Sequence, residues 1–185
     1  MENLWTILSS AGVAAVVSAM ASYIISLLMQ KRKYKDDYYK MVISKRMEAY
    51  EYVEKQIAVL KLILADVDGK TYPMMFGGGV KEFYEGQESL SFAMTHSLWL
   101  SEDMADALNV LQQDLLILSR LITDDAESNI ALGKEWCQKL RQDREKIEKC
   151  LKKDMLTLYQ VSSFLHKNRK SRRKTYYMPT DNNSK

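Results

Sequence analysis

The fold turns on one stretch, Leu4–Met29, LWTILSSAGVAAVVSAMASYIISLLM, and on the run Lys31-Arg32-Lys33-Tyr34-Lys35 that follows Gln30. No side chain from Asn3 to Gln30 carries a charge. At about 1.5 Å per residue, a helix over Leu4–Met29 measures roughly 39 Å, longer than the roughly 30 Å hydrocarbon core of a bilayer. The sequence therefore predicts a single transmembrane helix within residues 1–30. A cleaved signal peptide would want a basic start and a shorter apolar run. This chain opens Met1-Glu2-Asn3 and stays apolar past the A-x-A candidate at Ala19–Ala21. Glu2 is the only charged side chain before the span, whereas Lys31, Arg32, Lys33 and Lys35 follow it directly. The positive-inside rule then places the N-terminus outside and the rest of the chain in the cytoplasm, at a cell inner membrane.

Within the span, small residues segregate. At about 100° per residue, Ala11, Ala14, Ala15, Ser18, Ala19, Ser22 and Ser26 gather on one side, and Val13, Val16, Val17, Met20, Ile24, Leu27 and Leu28 on the other. Lipid supplies little hydrophobic drive between helices, so close backbone approach along small-xxx-small rows, with hydroxyls crossing them, is a usual means of association. The expectation is a homo-oligomer formed through that face. A plain anchor rich in Ala and Ser is the alternative.

Moving outward, the whole chain has 185 residues and a net charge of +3, with only 7 Gly and 2 Pro. So few breakers argue for long helices and against a many-stranded sandwich or barrel. The bland total hides a segregation. Residues 31–46 hold seven basic against two acidic side chains, residues 69–135 four against eleven, and residues 136–185 fourteen against five. Because screening limits each field to about 10 Å, these blocks say more about partners than the total does.

Past the basic flank, Ile43, Tyr50, Ile57 and Leu64 recur at heptad spacing, with Val53, Leu60 and Val67 in a second row. They predict a coiled-coil-like helix of about 35 residues, continuous with the span. Gly69, Pro73 and Gly77–Gly79 end it. Lys81–Leu100 reads as one interrupted helix. Ser101 caps the next, whose apolar row is Met104, Leu108, Leu111, Leu115, Leu118 and Ile122. A last long helix, about Ile130 to Lys167, carries Leu140, Ile147, Leu151, Leu158, Val161 and Leu165. The expected fold is all-α: one transmembrane helix, then over 31–168 a cytoplasmic antiparallel bundle of about four helices, two of them long, because short connections make neighbours antiparallel. Residues 169–185 read as a basic, disordered tail.

If the last helix returns toward the membrane, its basic cluster meets the inner leaflet. Lys167, Arg169, Lys170, Arg172, Arg173 and Lys174, together with Lys31, Arg32, Lys33 and Lys35, are then the expected lipid contacts, each worth about 1 kcal/mol against anionic lipid. A dense basic tail also neutralises phosphates, but nucleic acid is not the expected partner. No catalytic constellation is visible. His96 and His166 stand alone, Cys137 and Cys150 lie too far apart on one helix to bridge, and no phosphate-binding or nucleophile motif occurs. The sequence points to no enzyme, cofactor or metal; acidic residues such as Asp103, Asp106, Asp124 and Asp125 would have to converge to hold one. A loop of Lys70, Gly77, Gly78, Gly79 and Lys81 could present backbone N–H groups to an anion or nucleotide, with Tyr72, Phe76 and Tyr84 to stack on a base, although a simple joint fits the glycines better.

In layout the chain resembles the small, N-terminally anchored helical proteins of bacteria and their phages, some of which are membrane effectors in antiviral defence. The expected function is that of a self-associating, non-enzymatic interaction module at the cytoplasmic membrane face, with a protein partner. A membrane effector, triggered through the cytoplasmic part and acting on the span, is the alternative.

Overall fold

The computed structural model describes the backbone of residues 2–170 and the side chains of residues 13–166. The chain divides into two compact units, residues 1–42 and 43–185. The first consists, among the described residues, of one helix. That helix, α1, is unbroken from Glu2 to Lys61 and so continues into the second unit. The expected continuity of the apolar span with the following heptad helix is thus observed.

In the second unit α1 contributes Ala49, Tyr50, Val53, Ile57 and Leu60 to the core. The expected row stops there. Leu64 is exposed and Val67 wholly so, because α1 ends at Lys61 and the chain turns into a short antiparallel hairpin, β1 (Ile63–Ala65) with β2 (Thr71–Pro73). Leu64 faces Tyr72 in the register. Gly69, at a φ of +76°, closes the turn in the left-handed region that glycine tolerates. This hairpin departs from the all-α expectation. β2 packs on a long later helix, Ala126–Leu156, and a 3-10 turn, Met74–Phe76, drives Met75 and Phe76 into the core.

The segment expected as one interrupted helix resolves into α2 (Val80–Glu85), α3 (Glu88–Thr95) and a 3-10 turn at Ser97–Trp99. α4 (Glu102–Ser119) begins where Ser101 caps it: the Met104 N–H donates to Ser101 Oγ at 3.1 Å. Every member of its expected apolar row, Met104 to Ile122, is buried. α5 (Ala126–Leu156) is capped by Asp125, which accepts from the Ser128 N–H at 3.1 Å.

The long terminal helix breaks where no Gly or Pro lies. α5 stops at Leu156, and α6 (Val161–Lys170) restarts after Thr157–Gln160. The break leaves the Leu158 carbonyl free to accept from Arg46 Nη1 at 2.7 Å, while the Leu158 side chain is buried. A tertiary contact here outweighs the local helical preference. α4 packs along α5, with Asp103 paired to Lys153 at 2.6 Å near one end and Asp114 paired to Lys139 further along.

Candidate functional site

The span is the most conspicuous surface feature. From Val13 to Gln30 every side chain is exposed, and α1 is long and apolar enough, by length and composition, to cross a membrane. Val16, Ile24 and Leu28 each keep more than half of their surface open. Ala14, Ala15, Ser18, Ala19, Ser22 and Ser26 all lie on this uninterrupted helix, which gives their spacing its helical meaning. The Ala11 side chain lies outside the described residues. Beyond the span, Lys31, Arg32, Lys33 and Lys35 are exposed on the same helix, and Lys35 Nζ sits 5.3 Å from the centre of the Tyr39 ring. The side chains of Lys167, Arg169 and Lys170, and the whole of Arg172, Arg173 and Lys174, lie outside the described residues.

The glycine loop has a different geometry from an open anion cradle. Gly79 N–H donates to Glu82 Oε2 at 3.0 Å, so the chain's own carboxylate takes that donor. Lys81 Nζ lies 3.5 Å from Glu85. The Gly78 carbonyl accepts from Asn129 Nδ2 at 3.1 Å, and a Cβ on Gly78 would meet the Glu82 side chain at 2.6 Å. Lys70 lies in the hairpin turn just before β2. Phe76 is fully buried and Tyr72 nearly so, which removes both from any stacking role; Tyr84 remains half exposed.

The acidic residues of the middle block do not converge. Asp103 pairs with Lys153 and Asp125 caps α5. Among the described residues no group of three or more His, Cys, Asp or Glu side chains could hold a metal ion. His96 stacks on Tyr52, with ring centres 5.3 Å apart, and lies 3.8 Å from Glu48. Cys137 is buried and Cys150 half-buried, and burial, followed by the charges of Asp154 and Asp103, pushes the Cys150 thiol up.

Two polar clusters inside the helical unit escaped the sequence reading. In one, Asp154 Oδ2 accepts from the Tyr50 hydroxyl at 2.8 Å and from Ser101 Oγ at 2.6 Å, tying α1, α4 and α5 together. Burial, reinforced by the Asp154 charge, pushes the Tyr50 hydroxyl up to about 12. Arg46 lies beside this cluster, 2% exposed, with its guanidinium carbon 5.9 Å from the Tyr50 ring centre. In the other, Lys139 bridges Asp114 of α4 and Asp143 of α5. Burial pushes the Asp114 carboxyl up, whereas at Asp143 burial is outweighed by hydrogen bonds from Asp114 and Lys139, which hold it below the usual carboxylate range. Asp154 and Asp143 both fall in register with the apolar stripe of α5, and that misplaced polarity was the available signal.

A shallow groove of about 320 Å³ runs between α1 and α5, with Ile57, Ala58 and Leu151 on its floor and Glu54, Lys61 and Glu148 on its rim. No family model matches the chain, and neither a curated protein nor a solved structure does.

Proposed function

We propose that the protein is a single-pass inner-membrane protein, N-terminus outside, whose cytoplasmic helices form an antiparallel bundle that self-associates and serves, without catalysis, as an interaction module at the membrane face. The observation that carries this reading is the exposed apolar surface of α1 from Val13 to Met29, which nothing in the protein covers among the described residues. Water would penalise that surface at about 25 cal/mol per Å², and lipid does not. Opposite helix directions are supported by the order of the pairs: from Tyr50 to Lys61 of α1 the partner on α5 moves back from Asp154 to Glu148, and from Asp103 to Asp114 of α4 it moves back from Lys153 to Lys139. Val110 and Ile117, exposed on α4, Leu121 just beyond its end, and the groove between α1 and α5 are the surfaces available to a protein partner. The basic residues on either side of the described helical domain would meet anionic headgroups.

Self-association is tested by crosslinking the full chain in native membranes. Oligomers should form, and the double change Ser18→Leu, Ser22→Leu should abolish them while the chain stays in the membrane fraction. Unchanged crosslinking would remove the small-residue face as the interface.

The effector reading is favoured by one feature, the row Ser18, Ser22 and Ser26, whose hydroxyls could line a weakly polar seam between helices. Expression should then depolarise cells, and the same double change should prevent it. An intact membrane potential at high expression, under every inducing condition, rejects that reading.

A further inference from the structure

We propose that α6 is a strap with two mutually exclusive seats: the helical domain, where Arg46 holds it, and an anionic lipid surface, which takes the same apolar face. This rests on the lipid reading of the basic C-terminal residues and adds to it a conformational step.

The first seat is built from few contacts. Val161 and Phe164 of α6 are buried, at 1% and 9% exposure, and the Phe164 ring centre lies 4.2 Å from the Arg46 guanidinium carbon. Arg46 donates to the backbone carbonyl of Leu158, and its buried Nε–H has no partner. A guanidinium out of water with an unpaired N–H sits in a costly position. The connection has a cost as well. Interrupting the helix at Thr157–Gln160 leaves Leu156 and Tyr159 in water, at 86% and 77% exposure. The seat is therefore one that a competing surface can empty.

The competing surface follows from the helix itself. At about 100° per residue Val161, Phe164 and Leu165 share one side, and His166, Lys167 and Lys170 the other. A basic amphipathic helix of this pattern lies in a bilayer interface with its apolar side down, and further basic residues follow at Arg172, Arg173 and Lys174. The side that lipid would take is the side now covered. α6 can occupy one seat only by leaving the other.

The test uses the full chain with Cys137 and Cys150 replaced by alanine, nitroxide labels at Glu51→Cys and Ser163→Cys, both exposed positions, and dilution with unlabelled chain. It is reconstituted in vesicles of phosphatidylcholine alone, or with roughly one-third phosphatidylglycerol. The distance between labels should be short and narrow in phosphatidylcholine. It should lengthen by about one helix diameter, roughly 10 Å or more, in the anionic vesicles, and revert at high salt. Arg46→Ala should lengthen it without anionic lipid; Arg46→Lys, which keeps the charge but loses the planar fork, should do so in part. Trypsin protection of Lys167–Lys174 by the anionic vesicles reads tail binding independently. Protection with an unchanged distance overturns the strap and leaves the lipid reading standing. Neither protection nor a shift overturns both. A lipid-dependent shift that Arg46→Ala leaves unaltered in either lipid shows that Arg46 is not the hold, and overturns the proposal as stated.

Discussion

Tyr50 shows how a single position in an apolar row can carry more than packing. Its ring fills the core, and its hydroxyl donates to Asp154, which also accepts from the Ser101 hydroxyl. Tyr50→Phe should cost about 1–2 kcal/mol, read as a lower urea midpoint of the detergent-solubilised chain. It should also change the pH profile. The hydroxyl is raised from an ordinary value near 10 to about 12 by burial and then by Asp154, so the folded state holds a proton that the unfolded state releases. That stability is complete below pH 10 and is lost as pH rises toward 12. The difference between wild type and Tyr50→Phe should shrink over that window, and a constant difference would mean that the hydroxyl does not titrate with folding. Gly133 is a second position where one atom decides. Inside α5 an alanine would ordinarily be worth about 1 kcal/mol more helix propensity. Here its Cβ would lie 2.8 Å from Phe76 Cβ and Cγ, because the 3-10 turn docks at that point. Gly133→Ala should therefore destabilise, by about 1–3 kcal/mol on thermal unfolding. Neither constraint was legible beforehand, since the tyrosine fits a heptad row and the glycine marks a weak point in a helix without naming the side chain that needs the space.

At the scale of elements, legibility followed periodicity. The α4 row was readable because six apolar residues recur with nothing to compete, and Ser101 followed by Glu102 and Asp103 marked its start. Ser101→Ala should cost more than an ordinary cap, about 1–2 kcal/mol, because the hydroxyl both accepts from the Met104 N–H and donates to Asp154. A loss no larger than that of Asp125→Ala, which removes a cap alone, would show the second bond to be unimportant. The hairpin was missed because Leu64 and Val67 extend the α1 heptads on paper. The better signal was Asp68-Gly69 between two short β-capable runs, and Lys134 now clamps that turn through Asp66 and Asp68. The break at Thr157–Gln160 has no local signal at all. It depends on Arg46, 112 positions away from the carbonyl it binds, and no window along α5 contains that information. At the glycine loop, Asn129 accepts from the Thr123 N–H at 3.0 Å and donates to the Gly78 and Thr123 carbonyls, and the Gly78 partner lies 51 positions away, outside any local reading of the glycines.

For the molecule as a whole, the ordering of charge along the chain matters more than its sum. The uncharged span is followed at once by Lys31, Arg32, Lys33 and Lys35. Translocating four basic side chains would be the costlier of the two insertions, and the proposed direction of the span rests on that difference. If this block sets the topology, changing Lys31, Arg32, Lys33 and Lys35 to glutamine and adding two lysines before Leu4 should invert a fraction of the chains. A protease applied outside right-side-out cells would then reach the helical domain, which carries Lys45, Lys55 and Lys81 on its surface, whereas it should spare that domain in wild type. The change should leave the melting temperature of the solubilised protein nearly unaltered, because the substituted lysines and arginine are exposed and hold no core residue in place. Wild-type chains cleaved from outside would reverse the assigned orientation. Variant chains that remain protected would show that the later basic residues, from Lys139 onward, dominate the topology, and that the helical domain rather than the flank retains the chain on the inner side.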